Sequence, residues 1–141
     1  MSYKEEDKEL LLKDLCGRLP YGVKAQYYGI NKEDTMYDTI DSINVIGNGT
    51  VEVGIGQYGL NIEDIKPYLF PLSSITKEQE EELTKLGVSY GEYALHDDIR
   101  GLGIMVDEAY IFFEFCYKHH IDFLGLIKMG LAIDATDKNI Y

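Results

Sequence analysis

The residues with the chemistry of metal ligands cluster at one point of the sequence. Cys116, His119, His120 and Asp122 carry thiol, imidazole and carboxylate groups, which zinc binds in proteins. Cys116 and His120 are four residues apart, so a helix would place both on one face. The second pair of cysteines or histidines that a zinc finger needs is missing from the sequence. Two histidines at a helix end also suit the negative end of its dipole, so the pattern favours helix capping over metal binding. No cofactor is predicted.

A second group of polar residues lies in the glycine-bearing segment 88–105. His96 stands beside Asp97 and Asp98, which suits acid–base chemistry, and Arg100 would bind an anion. No nucleophile stands at a meaningful spacing from these residues. We therefore favour a polar loop with incidental charges over a catalytic centre.

The glycines of Gly54-Ile-Gly-Gln-Tyr-Gly59 match the dinucleotide-binding pattern G-x-G-x-x-G. That pattern binds a pyrophosphate only when a strand precedes it and a helix opens on it. Apolar and polar residues alternate before the pattern, as in a strand. Pro67 follows too soon for a helix, and no apolar periodicity follows Gly59. The stretch is therefore predicted to be a glycine-rich loop between strands.

The chain has 25 acidic and 13 basic residues and a net charge of −12. Nucleic-acid phosphates and anionic membranes repel such a surface, so direct binding to either is not expected. An acidic surface suits a basic protein partner, or it serves solubility alone. The N-terminal residues lack the apolar core of a signal peptide, and Cys16 and Cys116 are expected to be buried free thiols. The predicted location is therefore the cytoplasm.

The aromatic composition is unusual, with twelve tyrosines and no tryptophan. Tyrosine is favoured at protein interfaces because it gives a large contact area at low entropic cost, and it also fills half-buried sheet positions. We predict a contact surface around the segments Lys66–Ser74 and 88–105. Its residues are Tyr68, Phe70, Tyr90, Tyr93, Asp97, Asp98 and Arg100.

The elements that would position these residues begin with a helix over residues 3–19, where Ser2 and Glu5 have capping-box spacing. A β-rich half covers about residues 20–66, with a tight hairpin at Gly47–Gly49. The predicted apolar stripe of the helix is Leu12, Leu15, Cys16 and Leu19, and the predicted strands are 22–28, 37–46 and 50–55.

The segment Lys66–Ser74 is predicted to be an extended strap over the core, because Pro67 and Pro71 restrict the residues before them. A helical half follows at about residues 76–132. Its predicted helices are Lys77–Leu86 capped by Thr76 and Gln79, Glu108–Lys118 capped by Asp107, and Phe123–Met129. Residues 1–141 thus predict a single α+β domain, in which two main helices pack a small antiparallel sheet of three to four strands.

Three segments resemble an uncharacterised family of small bacterial proteins that is often associated with phages and mobile elements. They are Leu11–Lys24, Lys66–Ser74 and His119–Ala132, which together span both ends and the middle of the chain. The family usually has Tyr-Arg where this chain has Phe123-Leu124, so a role of that arginine does not carry over. The resemblance implies a bacterial or phage cytoplasmic setting, and it implies no activity.

The sequence favours an acidic, non-enzymatic protein, an accessory or inhibitor factor of a phage or mobile element that binds a protein partner. Two alternatives stay open. One is a small metal-assisted or acid–base enzyme that uses His96, His119 and His120. The other is a structural homo-oligomer, because Glu108–Lys118 is more apolar than a helix with one buried face needs to be.

Overall fold

The computed structural model describes residues 4–28, 35–88 and 106–141. Three helices and seven strands account for the regular structure of these ranges, apart from short 3₁₀ turns. The helices are α1 (Glu5–Arg18), α2 (Lys77–Lys85) and α3 (Val106–Lys118). The strands are β1 (Lys24–Tyr28), β2 (Thr35–Ile46), β3 (Thr50–Ile55), β4 (Tyr58–Asn61), β5 (Lys66–Pro71), β6 (Ile121–Asp122) and β7 (Ile133–Asp134).

The α+β class is confirmed, but the sheet is larger than the three to four strands predicted. Its order is β4-β3-β2-β1-β5-β6, with β7 also paired to β5. The ladders among β1 to β5 are antiparallel, whereas β6 and β7 run parallel to β5. β6 and β7 have two residues each, so they are too short to be recognised from an alternating pattern.

The predicted strap is β5, a strand inside the sheet rather than a segment lying across the core. Its extended conformation agrees with the two prolines, but β1, β6 and β7 all pair with it. Its ladder with β1 is short, joining Ala25 to Pro67 and Gln26 to Lys66. Tyr68 and Leu69 are buried on opposite faces of the strand.

A β-bulge explains why the apolar residues of β2 do not alternate cleanly. The register shifts between Ile40 and Ser42, which adds one extra residue to β2. Beyond this residue, the side chains that face the core are offset by one position from simple alternation. Ile40 pairs with Ile55, and Ile43 pairs with Val53. Apolar positions three apart in the sequence therefore share the buried face of the sheet.

Helix α1 covers this buried face, but with a different stripe from the predicted one. Leu11 and Leu15 pack with the sheet residues in one core cluster, while Cys16 is exposed, so its predicted burial is wrong. The buried face of the helix instead includes Asp14 and Arg18, which are both fully buried. Its N-cap is Lys4, which has no side-chain cap hydrogen bond, in place of the predicted capping by Ser2.

The helical part of the chain forms a second core cluster, in which Leu83 of α2 packs with Phe112 and Phe115 of α3. The capping box of Thr76 and Gln79 is confirmed, with both reciprocal hydrogen bonds present. Helix α3 begins at Val106, so Asp107 lies inside it and is not its N-cap.

The helix predicted over Phe123–Met129 is wrong, and turns occupy this range instead. The carboxylate of Asp122 accepts the backbone N–H groups of Leu124, Leu126 and Ile127 at 2.9–3.3 Å. Gly125 also has a φ of 77°, which interrupts a right-handed helix. The local side-chain acceptor therefore outcompetes helical hydrogen bonding here.

The buried guanidinium of Arg18 joins α1, α3 and β6. Its Nε and Nη2 donate to the two carboxylate oxygens of Asp14 at 2.7 and 3.0 Å. Its remaining hydrogen bonds go to the carbonyls of Cys116 at 3.2 Å and Ile121 at 2.6 Å. Arginine is fully buried only when its donors are satisfied in this way.

Replacing Arg18 with methionine is expected to lower the free energy of unfolding by about 3–5 kcal/mol, because Asp14 would stay buried without its partner. Urea denaturation measures the change. The double variant Asp14→Leu/Arg18→Met removes both charges and should recover part of the loss. Equal losses in the two variants would contradict a role for charge pairing.

Candidate functional site

The predicted contact surface is only partly within the described residues. Tyr68 and Phe70 lie on β5, whereas the other predicted contact residues, and His96, lie outside the described ranges. Tyr68 is only 7% exposed, because Ala135 and Ile140 of the C-terminal segment pack on it. Its ring therefore belongs to the interior rather than to an open surface. The residues outside the described ranges are Tyr90, Tyr93, His96, Asp97, Asp98 and Arg100.

The four candidate metal ligands are held by other contacts. Cys116 is fully buried, and burial raises the pKa of its thiol. Asp122 accepts three backbone N–H groups, and His119 Nε2 lies 3.1 Å from Glu82 Oε2. The predicted shared helical face of Cys116 and His120 is wrong, because α3 ends at Lys118 and His120 has a φ of 59°. Within residues 4–28, 35–88 and 106–141, no group of three or more such side chains could hold a metal ion.

His120 instead forms a stack with Tyr141 that fixes the C-terminal segment on β5. The two ring centroids are 3.8 Å apart and the planes differ by 8°. The hydroxyl of Tyr141 accepts the backbone N–H of Lys24 at 2.9 Å and donates to the carbonyl of Tyr68 at 2.7 Å. This hydroxyl bridges β1 and β5 beyond their short ladder.

Burial shifts the titration of both stacked rings. Desolvation, with smaller effects from Arg18 and His119, lowers the pKa of His120 to about 4. Burial raises the pKa of Tyr141 to about 12. His120 Nδ1 is buried without a hydrogen-bond partner. Both rings are therefore neutral at physiological pH.

A half-open cleft of about 320 Å³ lies beside β5 and the start of α2. Its polar groups are largely used within the protein, since Thr76 caps α2 and Ser74 donates to the carbonyl of Pro71 at 2.6 Å. The imidazole of His119, which also contacts Glu82, is the titratable ring that faces this space. The lining residues are Phe70, Ser74, Thr76, Gln79, His119, Ile121, Thr136 and Asp137.

The sheet has an outer face, which carries Gln26, Tyr28, Tyr37 and Glu52 and lies opposite the residues that pack on α1. Tyr28 is 58% exposed and Tyr37 is 49% exposed. Tyr37 pairs with Gln26 and Tyr28 with Thr35, so the two rings are diagonal neighbours on adjacent strands. Tyr37 also meets Tyr68 edge-on, with 5.8 Å between ring centroids. The site prediction missed this pair, although the alternation of β1 and β2 places both tyrosines on one face.

The glycine pattern forms a β-hairpin, as the loop prediction anticipated in part. Gly54 lies in β3, Gly59 lies in β4, and these two residues pair with each other. Gly56 occupies the turn with a φ of 59°, as the first position of a tight hairpin turn requires. A strand follows the turn where a dinucleotide site needs a helix.

Comparisons of the chain with protein-family models, curated proteins and solved structures find no match. In the part of the chain that the structure describes, the helices are too short or too polar to span a lipid bilayer.

The pH dependence of stability tests the His120–Tyr141 stack. The pKa of His120 is about 4 in the folded protein against an ordinary 6.5, so the unfolded chain binds the extra proton between these values. Its contribution to stability is therefore complete above pH 6.5 and is lost as the pH falls towards 4.

The free energies of unfolding of the wild type and of His120→Asn between pH 7 and 4 measure this contribution. Asparagine is chosen because it tolerates the positive φ at this position. The wild type should be the more stable at pH 7, and the difference should shrink as the pH falls. A difference that stays constant over this range would contradict the assignment.

Proposed function

We propose that the protein is a non-enzymatic binding protein whose partner is a basic protein. The observation that carries the proposal is the pair of exposed tyrosines, Tyr28 and Tyr37, on the outer face of a protein with a net charge of −12. The resemblance to phage-associated bacterial proteins supports an accessory or inhibitory role in such a setting.

The two rings have the properties of interface anchors. Each lies on a strand, so the sheet backbone fixes its position, and little entropy is lost when a partner covers it. Large exposed apolar side chains grouped in this way mark interaction sites more often than scattered ones do.

The overall charge of the protein favours a cationic partner. The net charge is −12, and Asp38 and Asp41 of β2 are exposed. An acidic surface accelerates association with a basic one and disfavours other acidic proteins. Binding should consequently weaken as salt screens these charges.

The tyrosine pair can be tested by capture of partners from a bacterial lysate at low and high salt, read by mass spectrometry. The wild type should retain a basic protein that high salt releases. The double variant Tyr28→Ala/Tyr37→Ala should lose at least about tenfold in affinity for it, as expected for interface hot spots.

Tyr110→Ala is the matched control, because Tyr110 is 71% exposed but lies on α3. Its affinity should equal that of the wild type. Absence of any salt-released protein, or equal binding by the double variant, would contradict the proposal.

A second candidate is small-molecule binding in the cleft beside His119. The volume of about 320 Å³ and the contact between His119 and Glu82 favour it. Ligand-observed NMR with a fragment library should then detect binding that His119→Gln abolishes, while the exposed control Lys85→Gln on α2 retains it. A library without cleft binders would count against this function.

A further inference from the structure

Among the described residues, strand β4 is an edge strand with no pairing partner on its outer side. It is the last strand at one end of the described sheet, and its sequence, Tyr-Gly-Leu-Asn, contains no charged residue and no proline. Edge strands are usually protected by charges, prolines or bulges, because their free backbone groups can pair with another chain. An unprotected edge is therefore a natural place for strand addition.

The hairpin geometry shows which backbone groups are free. A two-residue turn joins β3 to β4, and Ile55 and Tyr58 form the pair that closes it. This closing pair is hydrogen-bonded, and hydrogen-bonded pairs alternate with non-hydrogen-bonded pairs along an antiparallel ladder. Tyr58 and Leu60 therefore direct their backbone groups towards β3. Gly59 and Asn61 direct theirs towards the open edge.

The side chains beside this edge form two different surfaces. On the inner side, Tyr58 and Leu60 are half-buried and extend the apolar core to the edge. On the outer side, Gly59 has no side chain, and the carboxylate of Glu52 fills that space; a Cβ at Gly59 would lie 2.5 Å from Glu52 Oε1. A strand added at this edge would therefore meet apolar groups on one side and a carboxylate on the other.

We propose that β4 binds an extended segment of the partner as an added strand, in which apolar residues alternate with lysine or arginine. Backbone groups of Gly59 and Asn61 would pair with the segment. Its apolar side chains would contact Tyr58 and Leu60, and a cationic side chain would meet Glu52. This inference rests on the proposed binding of a basic protein and names the part of the partner that is bound.

Asn61→Pro tests the pairing with little disturbance of the fold. Asn61 has a φ of −68°, which proline adopts, and the strand before it is already extended. The substitution removes the outward N–H and blocks the edge. Asn61→Ala is the matched control, because it keeps the N–H. Unfolding midpoints equal to that of the wild type would show that both variants are folded.

The probe is a short fluorescein-labelled peptide of alternating valine and lysine, followed by fluorescence anisotropy. The wild type should bind it, Asn61→Pro should bind at least about tenfold more weakly, and Asn61→Ala should stay within about twofold. A peptide of the same charge with N-methyl groups at alternate backbone positions should not bind.

The role of Glu52 is tested by Glu52→Gln against Glu81→Gln, an exposed position on α2 with the same change in net charge. Only Glu52→Gln should weaken peptide binding several-fold. Equal effects of the two variants, or equal binding by Asn61→Pro, would overturn the proposal. Light scattering that shows a dimer of this chain, dissociated by Asn61→Pro, would also overturn it, since a second copy would then occupy the edge.

Failure of this inference is distinct from failure of the proposed function. A salt-released basic protein that Asn61→Pro still binds, but the tyrosine double variant does not, would overturn strand addition and leave the proposed function in place. Loss of that protein in both variants would support both proposals.

Discussion

The fold depends on satisfying one buried guanidinium. Arg18 is fully buried, and its donors reach α1, α3 and β6 through a carboxylate and two carbonyls. The rings of Tyr117 and Phe123 lie 5.5 and 5.7 Å from its central carbon, which adds cation–π attraction. Because a buried charge is costly unless it is paired and hydrogen-bonded, the burial of Arg18 requires these three elements to stay in place around it.

Close packing of α1 on α3 follows from the same arrangement. Gly17 stands next to Arg18, and a Cβ at Gly17 would overlap the ring of Tyr117. The absence of a side chain there lets the two helices approach until Arg18 reaches the carbonyl of Cys116. The chain then leaves α3 through His120, and the C-terminal segment covers Tyr68. The exposed tyrosines and the β4 edge are among the parts of the described sheet that this interior leaves open.

Local signals in the sequence predicted a good part of this structure. Strand β3 was predicted with its bounds, because its apolar residues alternate strictly, and the capping box before α2 has a specific spacing. Arg18 could not be recognised as a buried residue, since its partners at Cys116 and Ile121 are distant in sequence. The turns after Asp122 escaped prediction for a related reason, because one carboxylate redirects backbone N–H groups that the apolar pattern assigned to a helix. Tyr28 and Tyr37 become a pair only when the register of β1 and β2 is known.

The central claim is that β4 receives an added strand, and amide hydrogen exchange measures this most directly. The backbone amides of Gly59 and Asn61 should exchange fast in the free protein, because they face the open edge. Saturation with the alternating valine–lysine peptide should slow both, while the amides of Tyr58 and Leu60, already paired with β3, should change little. Unchanged exchange at Gly59 and Asn61 in the saturated complex would contradict the account.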